Sequence, residues 1–125
     1  MANPNIVNAL EIYGNTSTTA LTTTSATSLV SNASGSGKVY KVNLIMAANV
    51  DGASAADITI NIYSAAALGG TATAIASTIS VPADASLIVT DKTTSFYLLE
   101  NRSIGAIAGV ANDIVVTCSW EEINS

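Results

Sequence analysis

Nine carboxylates, four bases and no histidine are the acid–base inventory of this 125-residue chain. Without histidine there is no imidazole base, no conventional catalytic triad and no His-containing metal site. Carboxylate, hydroxyl and lysine chemistry remains. The acids are Glu11, Asp51, Asp57, Asp84, Asp91, Glu100, Asp113, Glu121 and Glu122. A glycosidase needs two of them facing each other across a cleft. Here they mostly flank turn signals and strand ends, where aspartate caps and solvates the backbone. The expectation is therefore a protein that is not an enzyme, with no catalytic residue and no cofactor. The loop "NVDGASAAD" carries Asp51 and Asp57 but lacks the dense alternating ligands and closing glutamate of a calcium loop. No metal ligand is assigned; a weak divalent-ion site at a subunit contact is the residual reading. Gly35 and Gly37 in "SGSG" have neither the lysine nor the strand–loop–helix context of a phosphate loop. Cys118, the single cysteine, sits inside an apparent strand and reads as small core filler.

Recognition is better carried by the aromatics: Tyr13, Tyr40, Tyr63, Phe96, Tyr97 and Trp120. Tyr63 falls opposite the apolar face of its strand, and neighbouring Phe96 and Tyr97 point to opposite faces. At least one of these rings is expected to face outward, and tyrosine and tryptophan favour buried parts of interfaces. The candidate interface residues are Ile6, Tyr63, Phe96, Tyr97 and Trp120. A sugar-binding platform and a small second core are the competing readings of the same rings.

Composition narrows the partners. Apolar residues make up 49% and charged residues 10%, which excludes a disordered chain. With a net charge of −5 and only Lys38, Lys41, Lys92 and Arg102 as scattered bases, the surface repels phosphate backbones, so no direct nucleic-acid partner is expected. No run approaches 18 uninterrupted apolar residues, so no membrane partner is expected either, and the start lacks a signal-like stretch.

These residues must be positioned by short strands. Val7 to Tyr13 reads as a first strand ended by Gly14-Asn15. A Ser/Thr-rich tract follows, extended at first because threonine is β-branched, then a loop over 31–37. In the next run Tyr40, Val42, Leu44 and Met46 share one face, with Lys41, Asn43 and Asn49 on the other. Ile58, Ile60 and Ile62 alternate with Asp57, Thr59, Asn61 and Tyr63. "SAAALGG" makes a turn, and Ile75, Ser77, Ile79 and Val81 define one face of a further strand. Pro82 ends it. Leu87 to Thr90, "SFYLLE", the segment after Asn101 and "DIVVTCSWEE" complete the set. Seven to nine short strands without helical crossovers predict an all-β antiparallel β-sandwich, jelly-roll-like or immunoglobulin-like. The domain reading is an N-terminal arm over 1–8 and one sandwich over 9–125 that includes the Ser/Thr-rich segment at 15–37. Low charge leaves edge strands poorly protected, so a homodimer or homotrimer is expected.

"GKVYKVNLIMAANVDGASAADITINIY", "ISVPADASLIVTDKTTSFYLLENRSI" and "ANDIVVTCSWEE" together resemble small virion structural proteins of tailed phages infecting cyanobacteria and marine bacteria. The resemblance covers about residues 37 to 122. It implies a capsid cement or decoration protein on the outer capsid surface of a virion, with the major capsid protein as partner. A neck, tail or fibre-associated component is the related alternative. A carbohydrate-binding sandwich with a host glycan as partner is the alternative of a different class.

Overall fold

The computed structural model describes residues 4–124. Nine strands follow in order: β1 (Glu11–Ala20), β2 (Thr27–Asn32), β3 (Lys38–Asn49), β4 (Ala56–Ala65), β5 (Gly69–Val81), β6 (Ser86–Thr90), β7 (Phe96–Leu98), β8 (Arg102–Ala108) and β9 (Ile114–Asn124). Single 3-10 turns lie at Ile6–Asn8 and Lys92–Thr94. One sheet has the order β1-β9-β3-β6, with short β7 sharing the β6 side of β3; the other has the order β2-β8-β4-β5. Every pairing is antiparallel.

Setting β7 aside, the pairs nest: β4 with β5, β3 with β6, β2 with β8, β1 with β9. A long antiparallel hairpin wrapped into two facing sheets gives this order, which is that of a jelly roll. An immunoglobulin-like sandwich distributes its strands differently between the sheets. Of the two forms expected from sequence, the jelly roll is the one observed.

The core is built from period-two rows. Val42, Ile45 and Ala47 of β3 and Ile114, Val116 and Cys118 of β9 face Ile58 and Ile60 of β4 and Ile104, Ala106 and Ala108 of β8. Leu29, Val30, Leu21 and Leu98 close the ends. Each large aliphatic side chain buried this way contributes about 1.5–3 kcal/mol. Two buried asparagines tie the sheets together at opposite ends of β3. Asn32 Nδ2 donates to the carbonyls of Lys38 (2.9 Å) and Leu98 (3.2 Å), and its Oδ1 accepts from the Ser36 hydroxyl. Asn49 Nδ2 donates to the carbonyls of Ser54 and Val81, both at 2.9 Å, and its Oδ1 accepts from Asp51 N–H.

Three expectations are corrected. The first strand starts at Glu11, not Val7, and runs through Gly14-Asn15 to Ala20. As an edge strand exposed for most of its length, it needs no apolar alternation, and β-branched threonine suffices. In β3 the pairing with β9 shifts between Val42 and Leu44, which moves Ile45, Ala47 and Asn49 inward and turns Leu44 and Met46 out. Asn49 is thus buried rather than on the polar face. In β5 several register shifts, with Thr78 at φ 48°, break the expected face: Val81 is buried while Ile75 and Ile79 remain exposed. Among the described residues no helix is long and apolar enough to cross a membrane.

Candidate interaction surface

Residues opposed across antiparallel strands share a face, so the register defines what each sheet shows to the outside. On the β2-β8-β4-β5 sheet, Asn61 opposes Gly105 and Tyr63 opposes Ser103 on the outer side. Tyr63 does face away from the core, as its alternation requires, yet it is buried. The β4–β5 turn folds over it. Ala67 and Leu68 both adopt left-handed backbone (φ 55° and 61°), which curls the turn back onto the sheet. Leu68 N–H donates to Ser103 Oγ at 2.9 Å, Ser103 Oγ donates to the Ala65 carbonyl at 2.8 Å, and Ala67 N–H donates to Ser31 Oγ at 2.9 Å. A Cβ on Gly105 would lie 2.7 Å from Leu68 Cδ2 and 2.9 Å from Tyr63 Cε1, so any larger residue has to displace the side chains of the roof. Tyr63 is therefore withdrawn as an accessible interface residue.

The outer side of the β1-β9-β3-β6 sheet is built differently. Its rows read Thr16, Ser119, Leu44; then Thr18, Thr117, Met46, Ile88; then Ala20, Val115, Ala48, Ser86. None of these eleven residues carries a charge; the adjoining row on the same side, Gly14, Glu121, Lys41 and Tyr97, carries two. Ile88 is 57% exposed, while Leu44 and Met46 are half-buried among their neighbours. At one border Asn43, Leu44, Ser119 and the segment Asp91–Thr93 line an open groove of about 430 Å³. The Asp91 carboxylate there is already engaged. It accepts from the Thr93 hydroxyl (2.6 Å) and N–H (3.0 Å), which hold its pKa below the ordinary value.

At the other border the N-terminal segment crosses the same face. Pro4 is buried, and Val39 and Ile123, paired on the outer side of the sheet, are buried without belonging to the central core. Ile6 and Tyr97 meet here: with Pro4, Val39 and Leu99 they line a shallow groove of about 220 Å³. Ile6, Val7, Leu10, Ile12, Tyr97 and Leu99 all stay at least 42% exposed, so an apolar patch continues beyond the groove. The structure brings together Ile6 and Tyr97 of the sequence candidates.

Phe96 and Trp120 lie on the opposite side of the sheet, half-buried against the core. Trp120 stacks on Tyr40 with ring centroids 6.3 Å apart. Tyr13, Glu122 and Tyr40 form one row beside them, and Lys38 Nζ sits 3.2 Å from Glu122 Oε1. Burial, and then the Glu122 charge, raise the Tyr40 pKa; a hydrogen bond to Glu11 raises that of Tyr13. Cys118 is fully buried, and desolvation pushes its thiol up to about 12, so it offers no accessible thiolate for a disulfide between copies. Among the described residues no group of three or more Cys, Asp or Glu side chains is placed to hold a metal ion.

Sequence reading did not single out Thr16, Thr18, Met46, Ile88 or Thr117 as one surface. The Thr/Ser tract was the available signal, but only the register with β9 and β3 joins it to distant residues.

No family model matches the chain, and no curated protein matches it. Among solved structures it is similar to a chain from Bacillus endospore appendages, described as a novel family of disulfide-linked pili. The identity is 19% over 91% of this chain and 89% of that one, with a TM-score of 0.49. The strand order, not this similarity, defines the fold.

Proposed function

We propose that the chain is a non-catalytic structural subunit of a virion, a decoration protein that seats on the outer surface of a capsid and stabilises it by repeated contacts with the major capsid protein. The observation that carries this reading is the open outer face of the β1-β9-β3-β6 sheet: three charge-free rows of threonine, serine, alanine and aliphatic side chains, bordered by the Glu121–Lys41 row, on a chain of net charge −5. Three rows on four strands span about 20 Å by 20 Å. One such patch is about half of a standard interface per partner. Many equivalent copies on a symmetric shell multiply modest contacts through effective concentration. A site in the neck, tail or fibre uses the same face and differs only in the partner.

The test is co-sedimentation with shells that lack the protein. Saturation at a fixed number of copies per shell, with greater resistance to heat, supports the reading; absence of binding to mature shells sinks it. The double variant Met46→Glu, Thr117→Glu should lose binding while staying folded.

A carbohydrate-binding module is the second reading. It draws on the Tyr13–Glu122–Tyr40 row beside Trp120, which sets ring faces next to a carboxylate. Chemical-shift changes at Trp120 on titration with glycans, absent at Ile88, would favour it over the shell.

A further inference from the structure

We infer that β1 is the self-association edge of this protein, and that a second copy pairs with it antiparallel about a two-fold axis at Thr16, joining two five-stranded sheets into one. The inference deepens the structural-subunit reading by naming which strand meets which.

Each sheet has two lateral edges, and they are not alike. β6 and β7 are five and three residues long. β2 has six residues and a register shift between Ser28 and Val30. β5 is long, but its pairing with β4 shifts at three places and Thr78 takes a left-handed backbone. Shortness and bulges are the devices by which natural sheets block strand addition. β1 has neither: its ten residues pair with β9 in one uninterrupted register from Glu11 to Ala20. Nor does it carry lysine or proline, and Glu11 at its very start is its one charge.

The hydrogen-bond phase fixes the register of a partner. Leu21 N–H donates to the Ile114 carbonyl at 2.9 Å, and Leu21 continues the same pairing sum as the ladder. Odd-numbered residues of β1 therefore bond inward to β9. The N–H and C=O groups of Ile12, Gly14, Thr16, Thr18 and Ala20 point to the open side. A second β1 satisfies all of them in one arrangement: Thr16 opposite Thr16, Gly14 opposite Thr18, Ile12 opposite Ala20. The same arrangement keeps the two outer faces on one side, because opposed residues share a face. It also sets the two Glu11 carboxylates at opposite ends of the seam. Parallel pairing in the same register would put them side by side. Charge placement and hydrogen-bond phase thus select the same occupant, a second copy of this chain, and the seam makes the charge-free rows of the two outer faces continuous.

Sedimentation of the full chain tests this. The unchanged protein should have twice its 12.6 kDa mass. Thr16→Pro removes an outward N–H without touching the β9 ladder, and Thr16→Lys opposes two ammonium groups at the axis; both should sediment at the single mass with an unchanged circular dichroism spectrum. Thr16→Cys should form a covalent dimer on mild oxidation, since hydrogen-bonded antiparallel partners have Cα atoms about 5.5 Å apart. Ser77→Cys on β5 should not. A monomer or trimer for the unchanged chain, or a dimer that survives both substitutions at residue 16, overturns the inference. A monomer that still saturates shells sinks the β1 seam and leaves the shell reading, while a dimer that binds no shell does the reverse.

Discussion

The two outer faces of this jelly roll differ in who covers them. On the β2-β8-β4-β5 sheet, the Ala65–Gly70 turn lies on Tyr63, Ser103 and Gly105 and leaves the ring of Tyr63 buried. On the β1-β9-β3-β6 sheet, the N-terminal segment covers only Val39 and Ile123 at one end, and three rows remain open and uncharged. One face holds a small second cluster under the turn, where Leu68 N–H, Ser103 Oγ and the Ala65 carbonyl are partnered and space is short. The other is a surface in want of a partner, where substitution is free until something docks. Stability should therefore respond on the first face, and association on the second.

The sharpest break of that contrast is at glycine. Gly105→Ala forces a methyl between Leu68 and Tyr63 and should cost about 1–3 kcal/mol by overpacking, measured by denaturant unfolding. Gly14→Ala on β1 meets nothing within 4 Å and has no positive φ, so it should stabilise by about 0.5–1 kcal/mol through lost chain entropy. Equal responses at the two sites would remove the distinction between a roofed and an open face. Next in size is Ser103→Ala. Ser103 is completely buried, and its removal strips Leu68 N–H and the Ala65 carbonyl of their partner, at a cost of about 1–3 kcal/mol. Faster hydrogen exchange at Leu68 should accompany the loss; unaltered protection there would mean that the roof is held by other contacts.

Much of this could be read from the chain, and what could not has a common cause. The alternation of Ile58, Ile60 and Ile62 with Asp57, Thr59, Asn61 and Tyr63 places every side chain of that run on the correct face. It does not tell that Tyr63 is buried, because the cover comes from a turn whose curl depends on two successive left-handed residues, Ala67 and Leu68, neither of which is glycine. The β3 face is misread for a similar reason. A bulge near Asn43 shifts the phase by one, and period two has no memory across such a shift. Ile6 and Tyr97 could be named as candidates but not placed together, since their meeting depends on the N-terminal segment crossing the sheet. Local pattern was legible; the joins between distant segments were not.

A smaller effect probes the space between the sheets. Burial raises the Cys118 thiol from an ordinary 9.0 to about 12, so the folded state keeps its proton where the unfolded chain loses it. Stability is unaffected by this group below about pH 9 and falls as pH rises from there toward 12, because the unfolded state binds fewer protons in that window. Cys118→Ala should flatten that alkaline decline while losing some packing at all pH values. Alkylation of the wild-type thiol at pH 8 should track global unfolding; fast labelling of the native protein would show the sandwich to be open at β9.

The smallest expected change in stability is on the open face, and it is the most informative for function. Ile88→Lys alters a side chain more than half exposed, on a short strand that shares its row with Met46. Nothing packs on it from outside, so the unfolding free energy should stay within about 0.5 kcal/mol of the wild type. A partner that seats on the face would have to strip water from the new ammonium without supplying a counter-charge, and truncated or unpaired charges in a desolvated interface weaken binding by several-fold to many-fold. Shell binding should therefore collapse in a protein that unfolds like the parent. If Ile88→Lys binds shells as well as wild type while Ile6→Lys or Tyr97→Lys does not, the contact lies instead at the groove under the N-terminal segment, and the open rows serve only the seam between copies.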